Sequence, residues 1–334
     1  RALNQVFPCC IGPPYGKDYK TASDGDLGVT YKDYTEVDLP SRHTVKYVYS
    51  RLVEDLENAK KLMSDNYNKS INSRLNKKSI SAILSRVYLT MGEDAKAVSA
   101  ATDAIAGDGS DIASISDFSK IFTTSMEVPE VLFRIAITAD NGYLPGNDWG
   151  QGSESSYIAN YSVTYSLNEL YKSTDIRRSQ IKLVNGGAYN VVWKYNNGGK
   201  STGLIDIPII RASEVYLTRA EANYNLKNYD DALSDLNLVK ERRYSDYEEG
   251  TESGAALEKE IQLQRRLELA FEGHRFFDLK RRHEDVQRDG KGFMADGSGV
   301  PSSTQHVSAD SPYYVMPIPQ SEIDANKNMV QNKY

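Results

Sequence analysis

A mainly α-helical fold, built partly from helix pairs of tetratricopeptide character, is predicted for this 334-residue chain. Apolar residues recur at spacings of three and four from Val45 onward, a second block of the same kind begins near Ser213, and segments of the two blocks align with each other.

The first forty residues are punctuated by Pro13, Pro14, Gly16, Gly25 and Gly28 and read as loop. Helical spacing starts at Val45, with Val48, Tyr49, Leu52, Leu56, Ala59 and Leu62 completing one stripe and Thr44 placed to cap it. Ile80, Ile83, Leu84, Val87, Tyr88 and Met91 form a second stripe that stops at Gly92, and an Ala-rich helix follows from Ala95 to Ile105. The later block runs from Ser213 to Leu226, breaks at Lys227-Asn228, and resumes through Ala232, Leu233, Leu236 and Val239. Leu84-x3-Tyr88-x3-Gly92 aligns loosely with Ala220-x3-Tyr224-x3-Asn228, a degenerate repeat of the kind expected of helix–turn–helix units that bury their apolar faces by stacking. Val131 to Ile137 and Asn190 to Tyr195 read as minor strands, and YYVMPIP near the C-terminus as a strand-like segment before a helical turn capped at Ser321. One domain is expected over 1–334, with a helical-pair portion (1–130), a loop-rich, strand-containing portion (131–210) and a C-terminal portion (211–334).

The net charge of −6, with Lys and Arg interspersed among Asp and Glu, argues against a nucleic-acid partner, which requires clustered cations. Adjacent Cys9 and Cys10 cannot frame a disulfide scaffold, and the four scattered histidines lack the spacing of a metal site. No metal or cofactor is therefore expected. Gly198-Gly199-Lys200-Ser201-Thr202 lacks the leading glycine of a phosphate loop and reads as a hairpin turn after NVVWKY. No Gly-x-Ser-x-Gly elbow is present, whereas the two carboxylates of a glycoside hydrolase can come from anywhere in a chain.

One stretch carries most information: Arg265-Arg266-Leu267-Glu268-Leu269-Ala270-Phe271-Glu272-Gly273-His274-Arg275-Phe276-Phe277-Asp278-Leu279-Lys280-Arg281-Arg282. Read as one helix, it puts Glu268 and Glu272 on one face with cations in reach, which favours ion pairs over acid–base or metal chemistry. The stretch closely resembles the signature of the SusD/RagB family. Arg211 to Ala222 resembles the family's preceding helix, and Pro317 to Asn332 its C-terminal ending, with Lys327 where proline is usual. The resemblance implies a SusD-like helical fold with tetratricopeptide-like pairs, minor strands and long loops. It implies a non-catalytic, cell-surface protein that captures oligosaccharides or peptides, an outer-membrane lipid anchor, and a SusC/RagA-like TonB-dependent transporter as partner. A segment like Arg1-Ala2-Leu3 lies in such proteins well after the lipidated N-terminus, so the anchor and first helices are expected outside this chain. A tetratricopeptide-type scaffold for protein partners is the competing reading.

Ala139 to Ser156 is a long aperiodic stretch rich in Gly, Asn and Ser, of the kind that is usually either functional or disordered. Sugars need a stacking platform and a few polar groups. Tyr143, Asn147, Asp148 and Trp149 supply both, with Tyr157 and Tyr161 just beyond, and are the candidate ligand-binding residues. The alternative is that Trp149 is an edge-of-core residue that pins the loop.

Overall fold

A computed structural model describes residues 15–63, 72–107, 111–122, 130–138, 140, 142, 144–196 and 203–333. Cys9, Cys10, Tyr143 and the Gly198 to Thr202 turn lie outside these.

Helix α1 (Val45–Leu62) begins where expected, with the Thr44 hydroxyl accepting from the Tyr47 N–H at 3.2 Å. It buries Val45, Val48, Tyr49, Leu52 and Leu56; the stripe ends earlier than read, because Leu62 in the last turn faces solvent. Helix α2 (Lys77–Met91) opens on a reciprocal capping box, Asn76 accepting from Ser79 N–H and Ser79 Oγ from Asn76 N–H. It ends at Gly92, whose φ of 76° is the left-handed turn that glycine makes at little cost. Every α2 residue from Ser79 to Leu89 is buried, so this helix is the centre of the first layer. Helix α3 (Asp94–Ile105) presents Ala97, Ala100, Ala101 and Ala104, small enough for close packing in the same core.

Among the described residues, six strands paired into three two-stranded sheets separate the helical blocks. Strand β1 (Val131–Ile135) is shorter than the Val131 to Ile137 reading, since Ile137 N–H leaves the ladder for Asp206 Oδ1 at 2.8 Å. Hairpin β2–β3 (Gly150–Ser153, Ser156–Ala159) gives regular structure to a stretch read as aperiodic. Between it and the next hairpin lies the short helix α4 (Tyr165–Asn168). Hairpin β4–β5 (Ile181–Val184, Tyr189–Val192) holds the start of NVVWKY, but Trp193 and Lys194 turn away and both donate backbone N–H to Gln180 O. Strand β6 (Ile207–Arg211) pairs antiparallel with β1 and runs directly into α5 (Ala212–Asn225).

Helices α5 and α6 (Tyr229–Glu241) form the second pair, broken at Lys227, which takes a φ of 66°. The two blocks pack together as expected: Val215 and Ala222 of α5 share one core with α2 and α3. The other side of α5 joins Leu236 and Val239 of α6 with Leu257 and Ile261 of α7 (Gly254–Glu268).

The signature is not one helix. Helix α7 stops at Glu268, Phe271 and Gly273 adopt φ values of 68° and 82°, and α8 (Arg275–Arg281) restarts the chain in a new direction. The turn frees carbonyl groups that must find donors. Lys194 Nζ donates to Ala270 O and the Tyr195 hydroxyl donates to Phe271 O, each at 2.9 Å. Beyond α8, the polar stretch from Glu284 to Pro312, expected to be loop, holds only the two-residue strands β7 (Val286–Gln287) and β8 (His306–Val307). YYVMPIP is not a strand: Pro312–Tyr314 makes a 3-10 turn, and Pro317 and Pro319 cannot donate to a ladder. Helix α9 (Gln320–Ala325) is preceded by Pro319, so Ser321 lies inside it rather than capping it. The ending ties back to the first loop, Asn326 and Asn328 side chains donating to Pro40 O and Leu39 O.

Candidate functional site

The signature carboxylates are structural. Glu268 is fully buried and receives Arg211 at 2.8 Å, Arg243 at 2.9 and 3.0 Å, and Arg177 at 3.4 Å. Glu272 takes Lys194 and Arg211, each at 2.6 Å, while Glu130 holds Arg211 and Arg243, and Asp175 holds Arg177. Four carboxylates thus face four cations. These cations come from the ends of β5, β6 and α6 and from the turn before β4, so the network joins the loop-rich portion to the helix pairs. Burial works to raise the Glu268 carboxyl, but the guanidiniums outweigh it and hold it well below the usual range. Glu272 is depressed to about 2 in the same way. A second cluster joins Arg265, Asp278, Arg281 and Glu221, all buried. Among the described residues, no group of His, Cys, Asp and Glu is arranged to hold a metal ion.

A cavity of about 270 Å³ lies beside this network, walled by Trp149, Tyr195, Phe271, Phe277, Pro145 and the Ile205 to Ile209 segment. Its polar lining includes Asp148, Glu272, His274, Arg86, Asp278, Arg265 and Arg281. Trp149 is half-buried: its ring stacks on Tyr195 (centroids 5.5 Å apart, 20° between planes) and meets Phe271 and Tyr161 edge to face at 5.9 and 5.8 Å. The loop that carries it is fixed locally. Pro145 opens a 3-10 turn through Asp148, and Gly146 N–H donates to Gly203 O at 2.9 Å. A Cβ on Gly146 would stand 2.3 Å from Tyr195 O, so only glycine lets the turn approach this closely. Asn160 then clamps the turn, its side-chain amide donating to Asn147 O and Asp148 O and its N–H to Trp149 O, all at 3.1 Å.

Arg86 also lines the cavity, bound through two bonds of 2.6 Å to the buried Glu214. His274 sits 3.9 Å from Glu214, and burial pushes its imidazole down to about 4, so it is neutral at ordinary pH.

Of the candidate residues, the structure brings Asp148 and Trp149 to the cavity and sets the exposed Tyr161 against the Trp149 ring. Asn147 is half-buried, its side-chain oxygen packed against Gly203. Tyr157 goes elsewhere: it is 4% exposed and packs with Val184, Val191 and Trp193 under the hairpins. Tyr195, Phe271, His274 and Arg86 were not singled out from sequence. Phe271 and His274 lie in the signature, but their place at a cavity depends on the left-handed turn, which nothing at Phe271 announces.

The chain's relatives agree with this architecture. Residues 137–334 match the model of the SusD family, and residues 2–89 match a second model described as starch-binding, associating with the outer membrane. The chain belongs to the SusD family. It is 32% identical over 171 residues to the starch-binding protein SusD of Bacteroides thetaiotaomicron, a match covering 47% of this chain and 28% of that protein. The SusD-like protein P2 of Formosa agariphila is 25% identical over 350 residues, covering 90% of this chain and 67% of its own. The fold agrees with a solved SusD superfamily protein from Bacteroides thetaiotaomicron (TM-score 0.82, 27% identity, 100% of this chain and 76% of that one). It agrees also with one from Bacteroides vulgatus (TM-score 0.81, 26% identity, 99% and 74%).

Proposed function

We propose that this chain captures oligosaccharides at the cell surface without cleaving them and delivers them to a SusC/RagA-like TonB-dependent transporter, held at the outer membrane by a lipid anchor. Relatives named for starch binding and for outer-membrane association support the class. The observation that carries the ligand reading is Trp149, half-buried on a stacked aromatic base in the wall of an apolar cavity. An indole held this way offers area to the C–H faces of a sugar at little entropic cost. In this reading Asp148, carried on the same clamped turn, accepts from sugar hydroxyls, and Tyr161 extends the aromatic surface.

The same geometry suits binding better than hydrolysis. A glycosidase general acid needs a carboxyl whose pKa is raised. Glu272 and Asp278 in the cavity lining are instead held low by their guanidinium and ammonium partners. A glycan array probed with the full-length protein, followed by a reducing-end assay on the retained sugars, tests both halves. Retention without new reducing ends is expected; turnover would make the protein an enzyme, and retention of peptides alone would change the cargo.

A further inference from the structure

The ion-pair networks absorb most of the signature's charges, but not Arg266 and Arg275. Neither makes an ion pair among the described residues. Both line a second groove, of about 530 Å³, together with Arg288. Arg266 is half-buried and Arg275 exposed. Desolvation, and for Arg275 the charges of Arg266 and Arg282, pushes both guanidiniums below their usual pKa; Glu284 and Asp278 offset part of this for Arg275, and no carboxylate does so for Arg266. The acids of the groove have other partners: Glu284 takes Arg282, Asp285 takes His306 and the Ala309 N–H, and Asp289 takes the Lys291 N–H. Phe293 supplies a ring that is 45% exposed and stacked on Tyr189 at 12° between planes. Gln305 contributes a side-chain oxygen that is buried without a hydrogen-bond partner.

We propose that this groove is a second binding site, selective for an acidic saccharide, whose anionic group is received by Arg266 and Arg275 while its ring stacks on Phe293. A planar guanidinium pair matches a carboxylate or sulfate oxygen set, and an unpaired pair of arginines is stabilised by the arrival of an anion. The proposal rests on the glycan-binding reading but not on the Trp149 cavity, with which it shares no lining residue.

The test is calorimetric titration of the full-length protein with a tetragalacturonate, a sulfated galactan tetrasaccharide and a neutral maltotetraose, in wild type, the Arg266→Gln/Arg275→Gln double variant and Trp149→Ala. At least one acidic probe should bind, weaken at least tenfold in the double variant and weaken with added NaCl, while keeping its affinity in Trp149→Ala. The arm that binds tells carboxylate from sulfate. Should the double variant unfold, the exposed Arg288→Gln and the salt dependence carry the same prediction, each lowering affinity several-fold. Equal affinity of the acidic probes for wild type and double variant would overturn the second site. So would binding of the neutral probe alone, which would leave the glycan reading intact; failure of every sugar, acidic or neutral, would sink both.

Discussion

Replacing Glu268 by Gln keeps its shape and removes one charge from the most buried part of the molecule. Glu268 contacts Arg177, Arg211 and Arg243, and the three guanidiniums are at most 1% exposed. The substitution turns a balanced set of four carboxylates and four cations into one with a net positive charge, and the new amide points a donor at guanidiniums that also donate. Removing one member of a buried ion pair costs about 3–5 kcal/mol, because the partner is left desolvated and uncompensated. With an unfolding entropy of about 2.1 cal/mol/K per residue over 334 residues, that cost lowers Tm by about 4–7 °C. Urea melts and calorimetric scans of Glu268→Gln beside wild type measure it directly. Because Glu268 does not line the Trp149 cavity, glycan affinity well below the melt should change less than threefold. A Tm within 1 °C of wild type would refute the structural role assigned to the signature. An intact Tm with lost affinity would move the signature into the binding site.

Two further outcomes follow from the geometry. His274 has a folded pKa of about 4 against 6.5 for the free group, so between these values the unfolded chain takes up a proton that the folded chain refuses. Stability should therefore fall as pH drops from 6.5 toward 4, by at most about 3 kcal/mol, with the depressed carboxylates Glu268 and Glu272 adding their loss only below about 4.5. His274→Gln should flatten the upper part of that slope in urea melts at pH 7, 6 and 5; an unchanged slope would show that another group titrates. Gly146→Ala should push the Pro145–Asp148 turn away from Tyr195, weakening sugar binding about tenfold or more while the helical far-UV signal stays intact; full affinity would mean the turn does not position Trp149.

Helices were legible because their apolar spacing and stop signals are local: Thr44, Gly92 and the Lys227-Asn228 break each stand within a residue or two of where the chain turns. The ion pairing of the signature was legible from its alternating charges, though the partners Arg177, Lys194 and Arg243 lie 25 to 91 residues away and no spacing rule reaches them. The break inside the signature was missed because Phe271 takes a left-handed φ that tertiary contacts from Lys194 and Tyr195 sustain. Trp149 could be picked as half of a recognition surface from its loop. Its stacking base Tyr195 could not, since it sits 46 residues on, past two hairpins. The YYVMPIP reading failed for a simpler reason: two prolines remove the ladder donors a strand needs.

The central claim, that sugar is held at Trp149, is tested most directly by probing one glycan array with wild type and with Trp149→Ala. Half-burial on Tyr195 and Phe271 puts the stability cost of the substitution at about 1–3 kcal/mol, less than the 3–5 of a fully buried Trp, so the variant should remain folded for the comparison. A stacking platform contributes about 1–3 kcal/mol, so the wild type should retain at least one neutral oligosaccharide roughly five- to 150-fold more tightly than the variant. Equal retention by the two proteins would remove Trp149, and with it Asp148 and Tyr161, from the site.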